Sequence, residues 1–462
     1  MPEIKEDLIK PSTAALKARV LFLFIVQIFI LVYYARLRID NASFVHEPRS
    51  FGDTGDYFHN ARISIFSREF WIDARPPVTA LFWKTVNSVP EKIFDLQLYF
   101  SIIAWSVLAF TVAHAIRLYS LKLFAFTLIL AFSLSRDIFM WDPFLGSESI
   151  ALSLTALFLA SAVWLLVEWK FYKAMLLIIT ALLMVLTRDT YAYLFLMAAL
   201  IILPLSWFSV YRMKAIGVSF VFIIIFIISS RLAILGLRPF RAIMMNTALR
   251  IYPSEVYTEY FRAHGMPVDD RLVREARNLQ PGRKFVVYKA LAFDEDQETY
   301  RQWALDLGDS EYIKFLWFYK AETFQNVFLQ TANPSFYPDV YYYTATGYRP
   351  ILKDARVSEF LYPTRFGLVF FFVANIIASF IAAIAWHDKK VLWLLPILMI
   401  LLAYPQAVLV WAADVNDIAR HSIPHNVLLR LGVWMLAFFV LDSVLADYFS
   451  QSPFFKRISS SL

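Results

Sequence analysis

Residues 16–37 read LKARVLFLFIVQIFILVYYARL, an apolar run whose length decides the fold. As a helix at 1.5 Å per residue it is about 33 Å long, enough to cross a ~30 Å hydrocarbon core. Comparable runs recur at roughly 96–116, 121–134, 149–167, 174–187, 191–208, 215–233, 366–386, 391–411 and 427–445, which with the first makes about ten. The runs at 121–134 and 174–187 are short, and read either as re-entrant or as extending into their polar flanks. Apolar residues make up 59% of the chain and charged ones 18%, with a mean hydropathy of +0.56, well outside the range of a soluble domain. Long apolar blocks, rather than short alternating segments, exclude a β-barrel and predict an all-α polytopic membrane protein.

The remaining composition narrows the class. The net charge of +7 is modest, and the basic residues stand largely at the ends of apolar runs. That placement points to lipid headgroups, not nucleic acid. There is no cysteine, so neither disulfides nor thiolate chemistry is available. The first run lacks a small-residue cleavage site and reads as a retained anchor.

The positive-inside bias gives an orientation. With the N-terminus inside, the short inner loops carry Arg117, Lys122, Lys170, Lys173, Arg212, Lys214, Lys389 and Lys390. The short outer loops carry only Arg136, Arg188 and Arg420. Both termini are then cytoplasmic; the missing cysteine favours a bacterial cytoplasmic membrane, while an endoplasmic-reticulum protein would share the same topology. The acids sort the other way, with Asp137, Asp142, Glu148, Asp189, Asp414 and Asp417 outside. Polar chemistry gathers on the non-cytoplasmic face.

Two segments interrupt the membrane domain of residues 1–235 and 366–462. The first outer loop, 38–94, holds amphipathic pieces rich in Phe and Trp that suit the interface plane. Residues 236–365 form a large outer loop or small α-rich insert. It has charged helix-like pieces at 270–278 and 294–306 and an aromatic stretch, NPSFYPDVYYY, at 333–343. The tyrosines suit sugar stacking, headgroup contact or ordinary packing of the insert.

The chemistry is concentrated in FGDTGDYFHNA at 51–61, followed by ARPPV at 74–78. If helical from Asp53, the residues Asp53, Asp56, Tyr57 and Asn60 share one face. A plainer reading makes Gly52 the turn and Asp53 or Thr54 the helix cap. This segment resembles the first outer loop of type-C glycosyltransferases. These polyprenyl-phosphate-sugar-dependent enzymes include the protein O-mannosyltransferases and the lipid A aminoarabinose transferase. Their loop reads Asp-Glu-x-x-Tyr-x-x-x-Ala, then a basic residue and proline. Asp53, Tyr57, Ala61 and Arg75 match, while Thr54 replaces the second acid and Asp56 stands as its substitute. Three further segments resemble the family in order: WDPFLGSES at 141–149, TRD at 187–189 and RHSIP at 420–424.

The resemblance implies transfer of a sugar from a polyprenyl-phosphate donor to a glycan, lipid or protein acceptor. Such transfer needs a carboxylate to take the hydroxyl proton and cations to hold the leaving phosphate. Asp53, then Asp56, is the expected base; Arg75, Arg188 and Arg420 are the phosphate ligands; Tyr57, Asn60 and His421 line the substrate. Asp53 with Glu148 would ligate a hard divalent cation, Mg or Mn. No Gly-rich nucleotide loop occurs, so no nucleotide cofactor is expected. Each residue also has a plain structural role available. Glu148 would be a helix N-terminal acid, Arg188 a local partner of Asp189, and Arg420 a headgroup snorkel. His421 and His425 as a metal pair are disfavoured by Pro424 between them. A flippase or transporter of lipid-linked glycans would show charges near span centres, and an O-antigen polymerase or ligase would work without the first-loop acid.

Overall fold

The computed structural model describes residues 13–208, 212–278, 285–329, 343–352, 354–363, 368–370, 373–377, 379–380, 391–413, 415 and 417–451. Among them there is no strand, only an isolated backbone bridge between Arg49 and Phe144. The protein is an all-α membrane protein. Six helices are long and apolar enough to cross a bilayer, within Ala18–Ala42, Pro90–Ala115, Glu148–Val167, Arg212–Leu235, Leu392–Ala413 and Ile423–Ala446. Much of the run at 366–386 lies outside the described residues, as do Asp414, Lys389, Lys390, most of 333–343 and both chain termini.

The first helices are α1 (Thr13–Ala42), α2 (Thr54–Arg62), α3 (Arg68–Trp71), α4 (Pro77–Thr85) and α5 (Pro90–Ala115). Then come α6 (Tyr119–Ser133), α7 (Arg136–Phe139), α8 (Glu148–Val167), α9 (Phe171–Val185), α10 (Thr190–Leu205) and α11 (Arg212–Leu235). The short apolar runs expected at 121–134 and 174–187, and the run at 191–208, are the 15- or 16-residue helices α6, α9 and α10, packed among the longer ones. Two helices begin or end beyond their apolar runs. α5 starts at Pro90, whose fixed φ and missing N–H suit a first helical position, so Glu91, Lys92 and Asp95 lie inside the helix. α1 continues past residue 37 because Arg38 is buried and paired.

That pairing ties three helices to the loop before α8. The Arg38 guanidinium bonds Asp142, and also donates to Tyr34 Oη at 2.8 Å and Ser101 Oγ at 2.9 Å. Ser149 Oγ donates to Asp142 Oδ1 at 2.8 Å. Gln97 Nε2 donates to the carbonyls of Asp142 (2.7 Å) and Phe144 (2.9 Å). The Asp142 before Pro143 is thus a buried ion-pair partner rather than a bare turn residue.

The insert has its own core. α12 (Arg238–Asn246), α13 (Glu255–Ala263), α14 (Asp270–Asn278), α15 (Phe285–Phe293), α16 (Glu298–Trp303), α17 (Asp309–Phe318) and α18 (Lys320–Phe324) surround Tyr252, Phe261, Leu291, Tyr300 and Phe315. The charged pieces expected near 270–278 and 294–306 are helices. Tyr343, Leu361 and Tyr362, the last two at the end of α19 (Ala355–Leu361), belong to the membrane core. The chain then completes the bundle with α20 (Val391–Ala413), α21 (Ile418–His421) and α22 (Ile423–Gln451).

Removing one partner of a buried ion pair leaves the other charge uncompensated, at a cost of about 3–5 kcal/mol. Arg38→Met is therefore expected to lower the melting midpoint in detergent sharply. Adding Asp142→Asn to it should restore much of the loss.

Candidate functional site

Five separate turns place their side chains in one cluster at the loop end of the bundle. The first is the start of α2. Asp53 occupies the N-cap position, yet its carboxylate caps nothing. It turns to two guanidinium groups instead, with Oδ1 2.5 Å from Arg75 Nη2 and Oδ2 2.7 Å from Arg420 Nη2. Thr54 fixes this turn by accepting from Phe51 N–H at 2.9 Å and donating to the Leu145 carbonyl at 2.7 Å. The residue that departs from the family pattern is thus the loop's anchor.

Arg75 comes from the turn before α4, where Pro76 and Pro77 restrict the backbone. Its Nε lies 3.1 Å from Asp56 Oδ2. The backbone N–H of Val78 donates to the Leu186 carbonyl at 2.9 Å, which holds this turn against the end of α9.

Glu148 stands in the first turn of α8, as a helix N-terminal acid would, but it is buried. Oε1 lies 3.2 Å from Arg188 Nη1 and 3.5 Å from Arg420 Nη1. Gly146 makes room for it, since a Cβ there would fall 2.3 Å from Glu148 Oε2 and 2.5 Å from the Phe144 ring. Arg188 does not pair with its neighbour Asp189. Asp189 is held by Arg238, with both carboxylate oxygens within 3.1 Å of Nη1.

Arg420 is no headgroup snorkel. It is buried, and besides Asp53 and Glu148 its Nε lies 2.6 Å from Asp417 Oδ2, a charge contact without hydrogen-bond angles. Asp417 also accepts from the Tyr343 hydroxyl. The Tyr343 ring packs edge-on to Phe51 at 5.2 Å and tilted on Trp141 at 5.5 Å, forming an aromatic wall beside Arg420. Asp417 and Tyr343 were not among the expected site residues. The i, i+3 spacing of Asp417 to Arg420 is the one signal in the sequence for the former.

The expected helix face divides. Asp53 and Asp56 join the cluster. Tyr57 is buried edge-on against Trp83 at 5.5 Å, and Asn60 is buried with Nδ2 donating to the Phe70 carbonyl at 3.2 Å. Both hold α2 in place. His425 is buried beyond His421. Among the described residues no group of three or more carboxylate or imidazole side chains is arranged to hold a metal. Asp53 and Glu148 face guanidinium groups, and both Asp53 oxygens are engaged by them, so this arrangement does not fit a hard cation.

The electrostatics follow from burial and pairing. Burial pushes the Asp53 carboxyl up, but Arg420 and Arg75 outweigh it and hold the group below the ordinary range. Three guanidinium groups meet four carboxylates, those of Asp53, Asp56, Glu148 and Asp417. Exposure rises toward one edge, from 18% at Asp53 to 30% at Arg75 and 40% at Asp56, while Arg420 and Glu148 lie beneath. The cluster therefore opens at Arg75 and Asp56.

His421 sits between two cations, with Nδ1 2.9 Å from Arg188 Nη2 and Nε2 3.2 Å from Arg420 Nη2. Burial, then Arg188, Arg420 and Arg75, drive its pKa well below the usual imidazole value. The ring is neutral. A neutral imidazole has one acceptor nitrogen, so only one of these contacts is a conventional hydrogen bond.

A histidine that stays neutral when folded destabilises the fold in acid. Below about pH 6.5 the unfolded chain takes up a proton that the folded chain refuses. Stability is then lost as pH falls from that value toward the depressed folded pKa, by at most about 1.4 kcal/mol per pH unit. Melting midpoints taken between about pH 7 and pH 5 should accordingly fall less steeply for His421→Gln than for the parent chain. Compared with known protein families and with characterised proteins, the chain matches none, so its functional reading rests on this geometry and on the sequence motifs.

Proposed function

We propose that this protein is an integral membrane glycosyltransferase of the type-C kind, built on about ten spans. It moves a sugar from a polyprenyl-phosphate donor to an acceptor hydroxyl on the non-cytoplasmic face. One observation carries the reading: Asp53 meets Arg75 and Arg420 in a partly enclosed cluster that Arg188, Glu148 and His421 complete. A carboxylate and several guanidinium groups, drawn from turns hundreds of residues apart, are the parts such a transfer requires.

The roles follow from exposure and pairing. Glu148 and Asp417 fix Arg420 from below, so its position does not depend on Asp53. Arg75, at the open edge, is the guanidinium most free to turn toward a phosphate. A donor phosphate drawing Arg75 to itself would relieve Asp53 of that partner and raise its basicity. Asp53 then takes the acceptor hydroxyl proton as that oxygen bonds to the anomeric carbon. The bond from that carbon to the phosphate oxygen breaks, and its electron pair leaves with the polyprenyl phosphate. The arginines offset the charge that the leaving group gains. His421, neutral and wedged between Arg188 and Arg420, keeps the two guanidinium planes apart.

A transport reading would look to charges at depth in the spans. Arg430 in α22 is such a charge, fully buried. It is locked in place, with Nη1 donating to Asn426 Oδ1 at 2.7 Å, Nε to the Pro363 carbonyl at 2.8 Å, and the guanidinium over the Tyr362 ring. So held, it acts as a tie between α22 and the segment before residue 364, not as a moving carrier.

Purified protein given a polyprenyl-phosphate sugar should release polyprenyl phosphate only when acceptor is present. Asp53→Asn should lower that turnover by about 10²–10⁴-fold with donor binding retained. Full activity in both Asp53→Asn and Asp56→Asn would remove these residues from the chemistry. Arg75→Ala should weaken donor binding by about tenfold to a hundredfold, the loss of one charge-assisted hydrogen bond; an unchanged donor affinity would take Arg75 out of the phosphate site.

A further inference from the structure

The insert carries a face that the fold leaves uncovered. On α17, Tyr312 and Phe315 point into the insert core, while Ile313 and Trp317, one turn apart on the other side, are 67% and 73% exposed. Phe318 and, on α18, Phe324 extend this exposed apolar surface. A surface helix in water would present polar residues there. The polar members include Ser310, Lys314, paired with Glu311 at 2.7 Å, Lys320, whose Nζ lies 4.6 Å from the centre of the Trp317 ring, and Glu322, which accepts from the Tyr257 hydroxyl.

Two contacts fix the depth of this face against a membrane span. The Tyr312 hydroxyl lies 2.9 Å from the carbonyl of Ala412, one residue from the end of α20. Arg250 clamps the same end, donating to the Trp411 carbonyl at 2.6 Å and stacking on the Trp411 ring. So α17 lies level with the end of that span. The π-helical turn Gln325–Leu329 then runs down beside α20, and the Phe328 ring meets Tyr404 at 6.0 Å. Tyr404 is within two residues, roughly 3 Å along the axis, of the middle of the span Leu392–Ala413. The chain from Ile313 to Phe324 leads from the first of these levels to the second.

We propose that α17, α18 and the turn after them form a membrane foot of the insert. Its partner is the lipid bilayer on the loop-bearing side of the protein. Ile313, Phe318 and Phe324 enter the acyl region and Trp317 sits at the headgroup boundary, where indole rings favour an amphipathic setting. Lys314 and Lys320 extend to lipid phosphates. Leu394 and Leu401 on the span α20 are exposed as well. The foot pins the insert, and with it Tyr343 at the cluster, at a constant height above the bilayer.

The absence of cysteine makes single-cysteine labelling clean. Spin labels placed by Ile313→Cys, Trp317→Cys and Phe324→Cys in the full chain, reconstituted in phosphatidylcholine–phosphatidylglycerol vesicles, would be read for collision with oxygen and with a water-soluble nickel chelate. Leu401→Cys serves as the lipid reference and Glu298→Cys, on exposed α16, as the aqueous one. The foot predicts oxygen-to-nickel ratios near that of Leu401 at residue 324 and between the two references at 313 and 317. Ratios equal to that of Glu298 at 313 and 317 overturn it. Low collision with both reagents would mean that protein, a second copy included, covers the face, and overturns it as well. Variants that elute as aggregates are replaced by Phe318→Cys and Lys320→Cys, for which the same outcomes decide.

Discussion

The contact on which this structure depends is the pairing of Arg420 with carboxylates from opposite ends of the chain. A guanidinium out of water is tolerable only where its charge is met and its donors are engaged. Arg420 lies beneath the surface, so Asp53, Glu148 and Asp417 have to come to it. That demand draws the start of α2, the start of α8 and the turn before α22 into one place. Arg188, Arg75 and His421 are then organised around the same charges. The bundle supplies hydrophobic walls on which each of these turns is mounted.

The supporting contacts lie one layer out, and several are polar groups buried as deeply as the cluster itself. Arg38 with Asp142, Thr54 with the Leu145 carbonyl, and Gln97 with two loop carbonyls hold the turn that leads into Glu148. These bonds join α1, α2, α5 and α8 at their loop ends only. Along the rest of their length apolar packing predominates, with isolated polar contacts such as Thr155 with Tyr191. Position at the cluster is therefore set by hydrogen bonds with defined directions, and the spans set only its approximate height.

The insert contributes to both levels. Its helices build a separate core and fasten to the end of α20 through Arg250 and Tyr312. Its returning segment brings Tyr343 onto Asp417, closing the cluster with an aromatic wall. A loop of this size thus touches the candidate cluster through Tyr343.

The membrane class, the helical architecture and the gathering of charge at loop turns were legible in the sequence, because span length and composition are local properties set by the bilayer. So was the placement of Asp53, Arg75, Arg188, Arg420 and Glu148 at turns near the ends of apolar runs, which the structure brings into one cluster. Pairing was not legible. Asp189 lies beside Arg188 in the chain yet binds Arg238, and Asp142 turned out to belong to Arg38. Asn60 shares a face with Asp53 but packs against Phe70. Helical periodicity says which residues share a side; it says nothing about which partner the rest of the fold brings there. Partner choice among buried charges depends on distances between elements far apart in the chain, and only the tertiary structure decided those.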